Sequence, residues 1–420
     1  MGNVSIVVGA QWGDEGKGKW IDILARDTEI VARFQGGNNA GHTLYVDGQK
    51  VVLKQIPSGI FHPGKISTLC SGVVVNPSQL VAEIDMVAAF VKLVPERLWL
   101  SARAHVISPW HIHLDTKAES EAANPIGTTK RGIGPTYAEK ANRTGIRLGD
   151  YVNNAHRQDW YETLSKSNPK FAAHRQAHAD QWQEFEDAAA KLAPFVVDAE
   201  HMVREQIKAG KRVLLEGAQG ALLDINHGTY PFVTSSETAA GGAFASLGFA
   251  PRSIDKIYGV AKAYVTRVGS GAFPTELKDS VGEHMAKVGK EFGAVTGRPR
   301  RCGWLDAVAL RYSGAISGYD GLILNKMDIL TGLDEIKVCI AYEHPVHGRI
   351  ENFPWDHAIL AECKPVYKSF KGWTEELPQG GKISDLNKNA LDYVNGVEEI
   401  LGFPVSMVGT GVNRQDALFR

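Results

Sequence analysis

The residues best equipped for chemistry lie in GAQWGDEGKGK, residues 9–19, between the apolar run VSIVV and WIDILA. A glycine-rich turn from strand to helix offers backbone N–H groups to phosphate oxygens. This one also carries two carboxylates, Asp14 and Glu15, where phosphate would add further negative charge. The usual pattern, Gly, four residues, then Gly-Lys-Ser/Thr, is incomplete. Gln11 holds the first glycine's place, and Gly18 stands where a hydroxyl would bind Mg2+. A carboxylate in the turn could supply that ligand, because Mg2+ takes carboxylate and phosphate oxygens together. The loop alone leaves open a plainer alternative, a glycine-rich turn whose acids face water.

Other stretches add independent signals. NKMD, residues 325–328, matches N-K-x-D, a guanine-recognition box. The Asp328 carboxylate can accept from N1–H and the exocyclic amine of guanine, a donor pair that adenine lacks, while the Lys326 stem covers the base. GNNAGHT (37–43) and GTTKRGIGPTYAEKANRTG (127–145) combine glycines, hydroxyls and amides suited to a polar ligand. His42, between Gly41 and Thr43 in a glycine-rich turn, reads as a site residue in preference to a core histidine. GAVTGRPRR (293–301) places three arginines within four residues, beside Thr296 and Gly297, a pattern suited to bidentate capture of carboxylate or phosphate.

These loops need a scaffold, and the pattern around them supplies one. VSIVV (4–8), EIVARF (29–34), RVLLEGAQG (212–220) and GLILNKMD (321–328) are apolar runs ending in glycine-bearing or charged residues. Lys17 to Arg26 reads as the helix after the first loop, and NPSQLVAEIDMVAAFVKLV (76–94) as a helix capped by Asn76 with Pro77 first. TLYVDGQKVVLKQI reads as a hairpin turning at Asp47-Gly48. Strands alternating with helices predict an α/β fold, a large and mostly parallel doubly wound sheet flanked by helices. Residues 151–205 read as a helical excursion from that sheet. His174 and His178 stand four apart there, a spacing able to bind metal, but without an H-E-x-x-H partner they read as a solvated helix face. HIH at 111–113 reads as a structural feature.

Composition narrows the class. The 420 residues carry Lys+Arg 46 against Asp+Glu 47, so nothing draws the chain in bulk toward nucleic acid or an anionic membrane. Length alone would allow two or three domains of about 150 residues. Cys70, Cys302, Cys339 and Cys363 are scattered without a C-x-x-C pair, which favours reduced thiols in the cytoplasm over disulfides or zinc. No basic stretch followed by an apolar core opens the sequence, and no uncharged apolar run approaches the roughly 18 residues of a membrane span.

Together, QWGDEGKGK, GGNNAGHT, IPSGI, IGTTKRGIGP, EGAQGALLDINHGTYPFVTSS, TRVGSGAFPTEL, GRPRRCGWLD and NKMD closely resemble the adenylosuccinate synthetase family, in its order, from residue 1 to about 411. The resemblance implies one domain over 1–420 that joins IMP and L-aspartate, using GTP and Mg2+, through a 6-phosphoryl-IMP intermediate. The alternatives are a paralogue acting on another purine nucleotide and a GTP-binding protein without ligase activity. By resemblance, Asp14 is the base at N1 of IMP and a Mg2+ ligand, with the Gly41 carbonyl completing the metal shell. His42 acts as the acid, and Lys17 and Gln219 stabilise developing charge. Asp14, Lys17, Asn39, His42, Thr129, Gln219, Thr234 and Arg298 hold IMP, with Arg143 reaching its 5′-phosphate from the other subunit of a homodimer.

For GTP, the family's pattern falls on Gly13, Asp14, Glu15, Gly16, Lys17, Gly18, Lys19, Gly41, His42, Thr43 and Arg300. Its guanine pocket falls on Lys326, Asp328, Gly409, Thr410 and Gly411. For aspartate it falls on Ala294, Val295, Thr296, Gly297, Arg298 and Arg300. Three residues depart from the pattern: Gly409 where Ser is common, Val412 where Pro is common, and Val295 where Thr is usual.

Overall fold

An eleven-stranded sheet carries the chain. From one edge to the other its strands are Gly381–Lys382, Ala417–Phe419, Val405–Gly409, Gly321–Asn325, Ile254–Lys262, Val4–Gly9, Val213–Glu216, Ile30–Arg33, Ile66–Leu69, Leu98–Ser101 and Val196–Val197. Every neighbouring pair is parallel except Val405–Gly409 with Ala417–Phe419. The computed structural model describes residues 2–46, 48–123, 126–292 and 300–420. From the central strand Val4–Gly9 the chain winds outward one way through Ile30, Ile66 and Leu98, and later the other way through Ile254, Gly321 and Val405. This is the doubly wound, mostly parallel sheet expected from the sequence.

Burial explains why the central runs read as continuous apolar segments. Val4–Gly9 is buried at every position but Ser5, and Ile30–Arg33, Val213–Glu216 and Gly321–Asn325 are buried throughout. A sheet covered on both faces leaves no polar alternation to see. One apolar cluster draws on residues from Val4 to Leu418, including Trp304, Trp373 and Tyr393.

The helix at 76–94 is shorter than its sequence suggested. It spans Pro77–Ala88, with the Asn76 side chain accepting from the Gln79 N–H at its start. The expected hairpin forms with His42 opposite Leu53 and Val46 opposite Gln49. Its Asp47 lies outside the described residues.

The helical excursion is bounded differently from the reading above. Asn154–Ser167, Pro169–Ala177 and Ala179–Leu192 are helices, the first two capped by Asn153 and Asn168. The chain then returns to the main sheet, where Val196–Val197 pairs with Leu100–Ser101, before the helix Ala199–Lys208. The three helices pack Phe171, Trp182 and Phe185 with Tyr151 and Trp110 against Leu98 and Leu100. They cover apolar surface near a sheet edge that would otherwise be open to pairing.

His174 corrects the expectation of a solvated face. It is buried, its ring centroid 5.5 Å from Trp110, 4.7 Å from His113 and 4.4 Å from His178. Among the described residues no His, Cys, Asp or Glu cluster is arranged to hold a metal. In the HIH stretch, His111 is structural: its Nδ1 accepts from the Ser108 N–H at 2.9 Å, capping the helix Pro109–Glu121. No described helix is long and apolar enough to cross a membrane.

Candidate active site

Six adjacent strands of the sheet end on the side of the candidate loops. Reading across, their last residues are Gly409, Asn325, Lys262, Gly9, Glu216 and Arg33. Carboxyl ends of parallel strands are where open α/β sheets bind ligands, because loops splay apart there. One row of strand ends thus collects loops that are far apart in sequence.

The loop after Gly9 resolves the crowding of negative charge. Glu15 turns inward and is fully buried. Its Oε1 accepts from the N–H groups of Gln11 (3.1 Å) and Gly13 (2.8 Å), and its Oε2 from Lys17 Nζ at 2.6 Å. It holds the loop together from within. Asp14 turns outward, with a left-handed backbone (φ 60°), and its side chain is 35 % exposed. The helix Lys17–Ala25 starts at Gly16 without a side-chain cap, so its first N–H groups face the loop. Lys17 Nζ also donates to the Gln219 carbonyl.

Gly18 has a steric reason. A Cβ there would come within 2.8 Å of the His42 Cβ. The Ser or Thr of the usual phosphate loop cannot fit beside this histidine. Any hard oxygen ligand for Mg2+ would have to come from elsewhere, and the outward Asp14 carboxylate is chemically suited to that role.

His42 is buried, and its Nδ1 meets the Glu216 carboxylate, with Ser58 Oγ at 3.3 Å. Glu216 also accepts from Ser58 N–H (2.8 Å) and Ser58 Oγ (3.0 Å). Burial pushes the His42 pKa down despite the pull of Glu216, with Arg33 and Lys17 adding to the fall. Burial works against the Glu216 carboxylate, yet His42 and Arg33 outweigh it and hold that carboxyl below its usual range. The pair therefore rests as a carboxylate accepting from a neutral imidazole Nδ1–H, which leaves Nε2 free of that bond. Glu216 was not singled out from the sequence. The rule applied to NKMD, a charged residue closing an apolar strand, would have found it in RVLLE.

Between these groups lies the 217–220 turn. Gln35 Nε2 donates to the Ala218 carbonyl at 2.6 Å, tying its segment to the turn, and Arg33 Nη2 donates to the Gly37 carbonyl at 2.7 Å. Gln219 has φ 55°, and both its amide atoms are buried with no partner among the described residues. A buried amide without partners is costly, so these two atoms are poised for a ligand. Asn39 Oδ1 accepts from the Gly37 N–H at 3.2 Å. Thr234 N–H donates to the Leu223 carbonyl at 2.8 Å, fixing its turn beside the 220s. Thr129 is half-buried in its loop, and Gly41 and Thr43 flank His42 at the hairpin's start, also half-buried. Arg143 is exposed at the end of the helix Ile133–Asn142, with φ 64°.

At the other end, Asp328 lies in the short turn Met327–Leu330 that follows Lys326, whose φ is 60°. Its Oδ1 is buried without a partner among the described residues, and burial raises its pKa, with Lys326 and Lys19 opposing. Lys19 Nζ donates to the carbonyls of Gly411 (2.9 Å) and Asp416 (2.6 Å), holding the 409–411 turn against the helix. Thr410 Oγ1 donates to the Pro378 carbonyl at 2.7 Å. Gly409 admits no side chain: a Cβ would lie 2.0 Å from Asn325 Oδ1. The Ser expected there would displace Asn325, whose Nδ2 donates to the Glu15 carbonyl at 2.8 Å. Val412 is exposed.

Arg300 reaches Asp14, its Nε donating to Oδ2 at 2.7 Å. Arg301 does not join it, because the strand Arg301–Gly303 begins there and its guanidinium pairs with Glu276 at 2.7 and 2.6 Å. Ala294, Val295, Thr296, Gly297 and Arg298 lie outside the described residues. Six non-glycine residues with left-handed φ are described: Asp14, Lys130, Arg143, Gln219, Lys290 and Lys326. Four are site residues read from the sequence. Strain of this kind concentrates where function needs it.

A doubly wound sheet with a phosphate loop and a guanine-type box on nearby strand ends defines a nucleotide-binding α/β enzyme. The adenylosuccinate synthetase family model matches residues 6–418. The chain is 46 % identical over 442 residues to the adenylosuccinate synthetase of Myxococcus xanthus, covering 100 % of this chain and 98 % of that one. It is 46 % identical over 421 residues to that of Desulforudis audaxviator, covering 98 % and 97 %. The structure of fully ligated adenylosuccinate synthetase from Plasmodium falciparum superposes with TM-score 0.94 at 38 % identity, covering 100 % of both chains. A cyanophage S-2L succinoaminodeoxyadenylate synthetase bound to dGMP and dATP shares the fold at TM-score 0.65 and 19 % identity, covering 100 % and 95 %. The chain belongs to the adenylosuccinate synthetase family, and it is a ligase of purine biosynthesis.

Proposed function

We propose that this chain uses GTP to join IMP and L-aspartate in the synthesis of AMP, by way of 6-phosphoryl-IMP, and that its residues divide the work as follows. Asp14 takes the N1 proton of IMP. The O6 so made nucleophilic attacks the γ-phosphorus of GTP, the bond to GDP breaks, and aspartate's amine then displaces phosphate from C6. Proton removal and phosphoryl transfer occur side by side, so base and phosphate loop must share one turn. The observation that carries this reading is the split between Glu15 and Asp14, one acid spent inside the loop and one turned out from it.

Lys17, the helix N-terminus and the unpartnered Gln219 amide offer donors where charge develops. His42, supported by Glu216, pairs with phosphate oxygens as charge moves to GDP; anionic phosphates would raise its depressed pKa toward the protonated form. Asp328 and Lys326, with Gly409, Thr410 and Gly411, read the guanine base. Asn39, Thr129, Thr234 and Arg298 hold IMP, and residues 294–300 hold aspartate. Asp14 and the Gly41 carbonyl would bind Mg2+, which offsets repulsion between the acid and the phosphates. Arg143 completes the neighbouring subunit's site in a homodimer, consistent with its exposure at a helix end. The chain acts as one domain, since one sheet takes strands from Val4–Gly9 to Ala417–Phe419. It works in the cytoplasm, without membrane or nucleic-acid partners.

The test mixes IMP, aspartate, GTP and Mg2+ and follows absorbance as adenylosuccinate forms. Phosphate release that requires both IMP and aspartate supports the ligase. Release without aspartate would instead mark a GTPase switch, and a requirement for a 2-amino purine would mark the paralogue.

A further inference from the structure

Glu291 belongs to none of the sets above, yet it sits between two of them. Its carboxylate is buried and takes donors from four side chains. Lys262 Nζ lies 3.0 Å from both oxygens, Lys326 Nζ 2.7 Å from Oε1, Arg300 Nη1 2.6 Å from Oε2, and Tyr264 Oη also donates to Oε1. Its backbone takes part too. The Glu291 carbonyl accepts from the Arg300 N–H at 2.9 Å, and Lys326 Nζ also donates to the Gly289 carbonyl at 3.1 Å.

Three cations converge on one carboxylate. Asp14, at 2.7 Å from Arg300, supplies a second negative charge, so these five groups keep one positive charge in excess. Burial alone would favour the neutral acid, but Lys262, Lys326 and Arg300 outweigh it and hold Glu291 well below the usual carboxylate range. Lys262 is buried as well, and burial lowers its pKa to about 8. A buried carboxylate with this many fixed donors has no freedom to swing, and it restrains the cations it holds.

Lys326 belongs to the guanine box, and Arg300 touches the acid assigned as the base. We infer that Glu291 is a positioning residue that mechanically links guanine recognition at Lys326 to the placement of Arg300, a residue of the aspartate and GTP sets, beside Asp14. The inference rests on the proposed function and adds a residue to it. Lys326 can cover a base only if its ammonium stays anchored at 289–291. Arg300 can leave Asp14 for a ligand only while Glu291 keeps its second guanidinium nitrogen in place. Both ends of the nucleotide are therefore sensed through one side chain.

The test measures the full chain with each substrate varied in turn. Glu291→Gln keeps the shape and removes the charge, and each lost charge-assisted bond is worth about tenfold in affinity. The expected result is a rise of about tenfold in KM for both GTP and aspartate, with KM for IMP changed by less than about twofold. Glu291→Asp should recover part of both together, because the charge returns one methylene short. If Glu291→Gln fails to fold, Lys262→Met/Glu291→Gln removes a buried pair together and should show the same rise. GTP binding by titration calorimetry, without IMP or aspartate, reads the Lys326 end independently of turnover. Loss of active enzyme with every KM unchanged, or a rise confined to one of the two substrates, overturns the linkage. Absence of adenylosuccinate formation by the unmodified chain would instead count against the proposed function, and the calorimetric ratio would still judge Glu291.

Discussion

Two buried histidines show how differently the same residue is used in two regions. His42 in the strand-end cleft and His174 in the helical excursion are both sequestered from water, and burial depresses the pKa of each, that of His174 to about 4. What separates them is company. His42 meets a carboxylate that is itself held by Ser58, close to Lys17 and Arg33. His174 meets aromatic rings, the one described hydrogen bond of its imidazole being from Trp182 Nε1 at 3.4 Å. Around the cleft lie unpartnered buried atoms of Gln219, Asn325 and Asp328 and three left-handed site residues, Asp14, Gln219 and Lys326. Burial and a shifted pKa do not by themselves mark a site; a held carboxylate partner and left-handed loop residues beside it do.

Substitutions can break or sharpen that contrast. Asp14→Asn should lower turnover by about 10²–10⁴-fold while GTP still binds, and retention of more than about a tenth of the rate would remove the base assignment. Glu216→Gln should lower kcat by about 10–100-fold with KM for aspartate little changed, since a charge-assisted bond to His42 is lost. An unaltered kcat would put His42 in the same structural class as His174. Asp328→Asn should reduce the preference for GTP over other purine triphosphates by about tenfold, measured as the ratio of kcat/KM values. Unchanged preference would refute the guanine pocket.

The smallest effect belongs to His174→Leu, which should leave kcat/KM within about twofold. Its signature is in stability. The folded value of about 4 lies below the ordinary 6.5, so the unfolded chain takes up the proton first. That contribution favours the folded chain fully above pH 6.5 and is withdrawn as pH falls toward 4. The variant lacks it, so its denaturant stability relative to the parent should rise across that window. A flat difference, or a large loss of activity, would erase the distinction between the regions.

The two regions were unequally legible. At the cleft, Asp14, His42, Lys326 and Asp328 stood out because phosphate and guanine chemistry demand particular residues at short spacings, and three short stretches of sequence display them. In the excursion, an i, i+4 histidine pair said nothing about which face was buried. The faces of Pro169–Ala177 are chosen by Trp110 and Trp182, which arrive from other helices. The same limit hid Glu216 and Glu291, whose partners are separated from them by up to 174 residues.

By itself, then, the order of residues determined the strands, the phosphate turn and the chemical kind of site. These depend on neighbours in the chain, through buried β-branched runs and turns that only certain residues can make. Tertiary structure alone decided that the outward Asp14 would meet Arg300. It also made a side chain at position 18 collide with His42, and gathered three distant cations on one carboxylate. Charge and steric contact act through space, and only the packed sheet brings those groups within reach.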